Sequence, residues 1–403
     1  MRQPARLAPL FAALLLCAPS LHAQDAAAQR LAQDALIVDT HIDAPGMLTE
    51  GWRDLALETD REFDYPKARA GGLDVAFMSI YTSPSEDADG SAYDMANRQI
   101  DSVLALAARA PDKFAVLTSP GDAGELLAGN RILLPMGMEN AAPLGDDLGR
   151  VAFFFERGVR YITLAHSAAN RVSDSSYSSE RKWNGLSPFG REVVAEMNRL
   201  GMMVDISHLS DAAAAQAIEL STVPVIVSHS AFRHFTPGFE RNISDELAKA
   251  VAARGGIVQI PFGTAFVNTQ AAANMQAKFT ERAALQARNA KAKAEGRPLE
   301  DEAAWNAAWE KAHPPLDTPI EAVLDQIDHG VKLLGVDHVG LGSDFDGVGG
   351  ELPADLRTVA DFPKLIAGLQ QRGYKDDDIR KILGGNFMRV WAAIEAGAGK
   401  PGR

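Results

Sequence analysis

Residues 202–229 read MMVDISHLSDAAAAQAIELSTVPVIVSH. Two short apolar runs, Met202–His208 and Val223–His229, flank a helical pattern over Asp211–Leu220. Ser210-Asp211 supplies the helix start. Apolar runs of strand length on either side of a helix form a parallel crossover unit, covered on both faces. Both runs close on a histidine at the same end.

The pattern repeats outward from this unit. Strand-like runs occur at Ala35–Asp43, Leu73–Tyr81, Ile132–Glu139, Val159–His166, Gly256–Phe262 and His338–Asp344. Helical patterns lie between them at Asn97–Ala108, Pro188–Leu200, Ser244–Ala253 and Thr318–Leu334. A weaker run, Phe114–Thr118, reads as an extra edge strand. Eight strands alternating with helices predict an α/β fold, a (β/α)8 barrel of the TIM type. No Gly-x-Gly-x-x-Gly follows the first strand, so the dinucleotide-binding alternative lacks its fingerprint. Residues 268–313, rich in Ala, Gln, Lys, Arg and Glu, read as a helical insertion before the eighth strand, on the active-site face. A solvated helical pair is its plainest reading, and a lid is the alternative.

Composition agrees with one large globular unit. The chain has 403 residues, is 46% hydrophobic and 23% charged, and contains one Cys. That excludes disordered, collagen-like and disulfide-scaffold classes. A formal charge of −13 without basic clusters argues against nucleic-acid partners and anionic membrane surfaces.

Residues 1–23 carry Arg2 and Arg6, then an apolar stretch over Leu7–Ala18, and end in Leu21-His22-Ala23. This is the pattern of a signal peptide, with cleavage after Ala23. The apolar stretch is too short to span a bilayer. Leu16 before Cys17 argues against lipoprotein processing. Residues 24–403 then form a single domain without cysteine, so disulfides, thiolate ligands and a Cys nucleophile are excluded. Export to a bacterial periplasm fits, with no membrane attachment after signal cleavage.

In such barrels the site is built at the C-terminal ends of the strands. There this sequence places His41, Asp43, Glu139, His166, His208, His229 and Asp344. Burying so many polar groups without partners costs about 1–3 kcal/mol each. A metal cluster supplies the partners. Imidazole and carboxylate donors without sulfur suit Zn2+, with Mn2+, Co2+ or Fe2+ as alternatives. His41, Asp43, Glu139, His208 and His229 exceed what one open catalytic zinc takes, so two metals are expected. No Lys ends a strand, which leaves Glu139 as the bridge. A metal-bridged hydroxide would attack, Asp344 would move the proton, and His166 would stabilise the oxyanion. A serine hydrolase is disfavoured, because no Gly-x-Ser-x-Gly occurs.

These residues sit in Val38-Asp39-Thr40-His41-Ile42-Asp43, Gly137-Met138-Glu139, Tyr161-Ile162-Thr163-Leu164-Ala165-His166, Gly185-Leu186-Ser187-Pro188-Phe189-Gly190, Asp205-Ile206-Ser207-His208, Ser228-His229-Ser230, Arg241-Asn242 and Gly342-Ser343-Asp344-Phe345-Asp346-Gly347. In this order the sequence resembles the renal (membrane) dipeptidase family, a branch of the metal-dependent amidohydrolases. The resemblance runs from about Leu36 to Val390. It implies a zinc dipeptidase with His41 and Asp43 on one zinc, His208 and His229 on the other, and Glu139 between. It implies His166 and Arg241 as substrate-binding residues and Asp344 as the acid/base. It further implies tolerance of a C-terminal D-residue, some β-lactam hydrolysis, and homodimers. Arg241 would bind the free carboxylate through its fork of donors; the sequence alone reads it as a surface residue capping a loop. Ile42 stands where the family commonly has Asn, and Asn140 where a Gly commonly follows the bridge. These departures bear on substrate preference. The rival readings are a related binuclear amidohydrolase acting on N-acyl amino acids or lactones, and a non-catalytic periplasmic metal- or peptide-binding protein.

Overall fold

The computed structural model describes residues 21–178 and 181–399, with side chains from residue 25 onward. Residues 1–20 of the expected signal peptide lie outside the described residues. The first described helix, Leu21–Asp34, starts within its last three residues. Among the described residues, no helix is long and apolar enough to cross a membrane.

Eight parallel strands curl into a barrel. In chain order they are Ile37–Ile42, Leu73–Tyr81, Met136–Glu139, Val159–Thr163, Met203–Asp205, Ile226–Val227, Ile257–Ile260 and Val339–Leu341. Each pairs in parallel with the next, from first to eighth. The ring closes just beyond the eighth strand. There Ile42 bridges Phe345, and the Asp43 amide donates to the Phe345 carbonyl at 2.9 Å. Helices cover the outside because the strands are buried on both faces.

Helix starts follow local chemistry. Ser187, Ser210 and Ser244 each accept a hydrogen bond from the amide three residues on, capping Pro188–Leu200, Asp211–Leu220 and Asp245–Ala253. The run expected as one strand over Ile132–Glu139 is two. Ile132–Leu133 pairs with the lower part of the second strand and with Phe114–Ala115, and Met136–Glu139 pairs with the upper part. The break falls at Pro135, which has no N–H for the ladder. Phe114–Ala115 ends the sheet as the expected edge strand.

Most of the other strands are shorter than the sequence predicts. The ladder stops at Thr163, Asp205, Val227 and Leu341, before His166, His208, His229 and Asp344. The backbone turns out of the strand to re-aim these side chains. His208 and Asp344 have φ of +65° and +66°, a strained conformation for residues with a Cβ.

Inside the barrel, Phe77 and Tyr161 stack at 5.5 Å. Phe387 and Trp391 of the last helix, Asn386–Gly397, pack on Phe77 at 5.2 and 5.3 Å. Gly137 makes room for Tyr161, because a Cβ there would lie 1.9 Å from its ring. This apolar layer is the floor on which the polar residues stand.

The segment expected as a helical insertion holds two helices, Thr269–Ala294 and Glu302–Ala312. Ion pairs Lys278–Glu310, Arg282–Glu302 and Arg288–Glu300 lace them together as an antiparallel hairpin.

Candidate active site

Glu139 ends the third strand with its carboxylate at the barrel mouth. One oxygen, Oε1, lies 3.0 Å from His208 Nε2, 3.2 Å from His229 Nε2 and 3.5 Å from His166 Nε2. The other, Oε2, lies 3.5 Å from His41 Nε2, which is itself 3.4 Å from Asp43 Oδ2. Asp43 precedes the helix Ala44–Glu50, and its side chain makes no capping bond. Its carboxylate therefore faces the cluster. Asp344 joins this side, with a carboxylate oxygen within 4.8 Å of donor atoms of both His41 and Asp43.

The buried chain around these groups sets their tautomers. Tyr161 Oη donates to the Thr40 carbonyl at 3.1 Å and so receives the proton of His41 Nδ1 at 2.8 Å. Ser228 Oγ donates to Asp205 Oδ2 at 2.6 Å and so receives the proton of His229 Nδ1 at 2.7 Å. Asp205 also takes the Ser207 hydroxyl at 3.0 Å and the Ser228 amide at 2.9 Å. Both imidazoles thereby direct Nε2 into the cluster. Burial opposes a charge on His41, but Tyr161, Glu139 and Asp43 outweigh it and raise its pKa well above the usual imidazole range, so a bound ion would displace a proton there.

The donors fit metal ions. His41 Nε2 is buried without a hydrogen-bond partner, and the Nε2 atoms of His208 and His229 face each other at 2.8 Å. Two ligands each ~2.0–2.2 Å from one tetrahedral zinc stand about 3.3–3.6 Å apart, close to most of the separations above. Burial holds His208 well below the usual imidazole range and pushes His229 down to about 3, so both stay neutral, the form that ligates a metal. Burial alone would raise Glu139. The surrounding imidazoles of His166, His41, His208 and His229 overcome it and hold the carboxyl well below its usual range.

Arg241 is not on the surface. It is 2% exposed, donating to Ser230 Oγ at 2.6 Å and to the His229 carbonyl at 2.8 Å. The guanidinium lies 4.9 Å from the Phe266 ring centroid, and Nε has no partner. His166 packs edge-on to Tyr81, and burial lowers its pKa. Burial, with Asp43 beside it, raises Asp344 well above the usual carboxylate range. Asp346 is engaged elsewhere. Its carboxylate accepts the amides of Glu62 and Phe63 at 3.0 and 3.3 Å.

The structure thus brings His41, Asp43, Glu139, His166, His208, His229, Arg241 and Asp344 to one place. Sequence reasoning missed Tyr161, Ser228 and Asp205. A carboxylate inside an apolar strand is rare enough to have flagged Asp205 and also Asp39, which accepts the Ser343 amide at 2.8 Å. Nothing local marks Tyr161.

The cluster opens into a cavity of about 600 Å³, lined by Tyr81, His166, Tyr177 and Asp344 among others. Gly347 lets the backbone pass this close, since a Cβ there would meet Asp43 Oδ2 at 2.2 Å and Asp344 Oδ1 at 2.4 Å.

Known proteins share this arrangement of elements. The chain is 30% identical over 298 residues to dipeptidase tcpJ of Claviceps purpurea, a match covering 74% of this chain and 59% of that protein. It is 28% identical over 376 residues to an uncharacterized dipeptidase of Schizosaccharomyces pombe, covering 89% of this chain and 81% of that one. The crystal structure of the probable dipeptidase PvdM from Pseudomonas aeruginosa superposes with a TM-score of 0.80 at 26% identity, covering 94% of this chain and all of that one. The sequence profile of the membrane dipeptidase family, peptidase family M19, matches residues 25–400, and the chain belongs to that family.

Proposed function

We propose that this chain hydrolyses dipeptides at a two-zinc site. His41 and Asp43 would hold one ion, His208 and His229 the other, and Glu139 both. The observation that carries this reading is the division of the Glu139 carboxylate, with Oε1 toward His208 and His229 and Oε2 toward His41. When bound, the ions would acidify water and polarise the scissile carbonyl.

The remaining roles belong to side chains. Arg241, buried beside the cluster with Nη2 2.9 Å from His208 Nε2, would pair with the C-terminal carboxylate of the dipeptide through its fork of donors. His166, beside Glu139 and facing the cavity, would donate to the carbonyl oxygen as charge builds on it. Asp344 would take a proton and deliver it to the leaving amine. Its raised pKa suits both directions of transfer. Residues 1–23 would direct export to a bacterial periplasm, leaving residues 24–403 as one barrel domain.

The test is metal content and turnover on purified protein spanning residues 24–403, with L-Ala-L-Ala and L-Ala-D-Ala, before and after chelation. Two zinc ions per chain and chelator-sensitive cleavage of both peptides are expected. Bound metal without cleavage would move the substrate to N-acyl amino acids or lactones. No bound metal after zinc is restored would end the reading.

A further inference from the structure

The cavity is far larger than two alanine residues require. At about 600 Å³ it falls in the ~300–1,000 Å³ range that encloses drug-sized ligands. Its floor is the polar cluster. Much of its wall comes from the hairpin Thr269–Ala312, through Met275, Phe279 and Trp309, with His313 and Leu316 just beyond.

That wall sets apolar and aromatic side chains beside the polar Asn274, Lys278, Arg282 and Glu310. Phe279 stacks on Tyr177 at 4.2 Å, and Trp309 stacks on His313 at 3.9 Å. The cations that reach the cavity from the hairpin are engaged within it, Lys278 with Glu310 at 3.6 Å and Arg282 with Glu302 at 2.7 Å. Across the cavity, Met47, Phe266 and Val348 continue the apolar lining. Tyr177 ties the hairpin to the chemistry, with its ring 5.8 Å from that of His208 and its hydroxyl 3.6 Å from Met275 Sδ.

We propose that the hairpin is the specificity wall of this site, and that it selects dipeptides carrying one bulky apolar or aromatic side chain over those with two small ones. The proposal rests on the dipeptidase reading above. Burying a side chain several carbons larger than a methyl group against such a wall changes discrimination by roughly tenfold or more.

The experiment measures L-Ala-L-Ala, L-Phe-L-Ala and L-Ala-L-Phe on the zinc-loaded protein. It reads kcat/KM where a peptide is cleaved and a calorimetric Kd where it is not. One of the two Phe peptides should be favoured by roughly tenfold or more over L-Ala-L-Ala. Trp309→Ala and Phe279→Ala should each cut that ratio severalfold, while Phe279→Leu should keep most of it. Thermal melts of all variants report folding, and Phe279→Leu separates a lost wall from a collapsed hairpin. A wild-type protein indifferent to side-chain size, or a preference that survives both alanine substitutions, would overturn the proposal. Size-dependent binding without any cleavage would overturn the dipeptidase reading and support the wall. Cleavage without size preference would do the reverse, and neither binding nor cleavage would remove both.

Discussion

Tyr161 Oη lies 2.8 Å from His41 Nδ1, across 120 residues of sequence, and donates its own hydrogen bond to the Thr40 carbonyl. This chain of two hydrogen bonds decides which nitrogen of His41 is free for the cluster. Tyr161→Phe keeps the ring that fills the barrel interior and removes only the hydroxyl. Metal affinity should fall ~10–100-fold, read by competition with a chromophoric chelator. Unchanged affinity would show that His41 is oriented without Tyr161.

Asp205 plays the matching part on the other side, through Ser228 to His229. Asp205→Asn can still accept but offers an N–H where Ser228 now donates. The His229 tautomer is then no longer enforced. Elemental analysis should find one firmly held metal per chain and a second lost on dialysis. Retention of both would mean that the serine–aspartate network is structural only.

Asp344 and Asp346 are separated by one residue and stand in different surroundings, Asp344 beside His41 and Asp43 and Asp346 on the amides of Glu62 and Phe63. Asp344→Asn should lower kcat by ~10²–10⁴ while leaving metal content intact, as expected for a proton-transfer group. Asp346→Asn should leave kcat within a few fold. A variant in which Asp344→Asn loses metal would reassign that carboxylate as a ligand beside His41 and Asp43.

Arg241 is held by Ser230 and by the His229 carbonyl, so its guanidinium is pre-positioned. Arg241→Lys keeps the charge and loses the fork. KM for dipeptides should rise ~10–100-fold with a smaller change in kcat, the pattern of lost ground-state binding. C-terminally amidated dipeptides, which lack the carboxylate, should be bound about equally by wild type and variant. If the variant loses affinity for amidated and free peptides alike, Arg241 does not read the carboxylate.

The loop behind Asp344 carries a pH-dependent contact. Glu62 accepts the Asp346 amide at 2.5 Å, and Asp346 accepts the Glu62 amide. Burial pushes Glu62 up to about 7 and Asp346 up to about 6. In an unfolded chain such groups titrate near 4. A raised carboxyl pKa means that the folded state binds the proton more tightly. The cost of ionising Glu62 is therefore absent below pH ~4 and fully present above pH ~7. Glu62→Gln keeps an acceptor and removes that cost. Its Tm should exceed that of wild type at pH 8, and the difference should close as pH falls toward 4. A constant difference across that range would show that Glu62 titrates normally.

The amino-acid sequence alone identified the barrel and most of the polar residues that gather at its mouth. Alternating apolar runs and helical patterns are local signals, and capping serines such as Ser210 and Ser244 mark boundaries within a few residues. His41, Glu139, His208 and His229 were legible as a group because polar residues at the ends of buried strands need partners, which a metal cluster would provide. Folding settled what depends on contacts between distant segments. It ended the strands before His166, His208, His229 and Asp344, because the chain must turn to aim those side chains inward. It buried Arg241 among the imidazoles, where the sequence alone suggested a surface position. It also set Tyr161 under His41 and laid the hairpin Thr269–Ala312 along the cavity. No period or spacing encodes these relations. They arise where a closed ring of strands brings the ends of eight separate segments to one mouth.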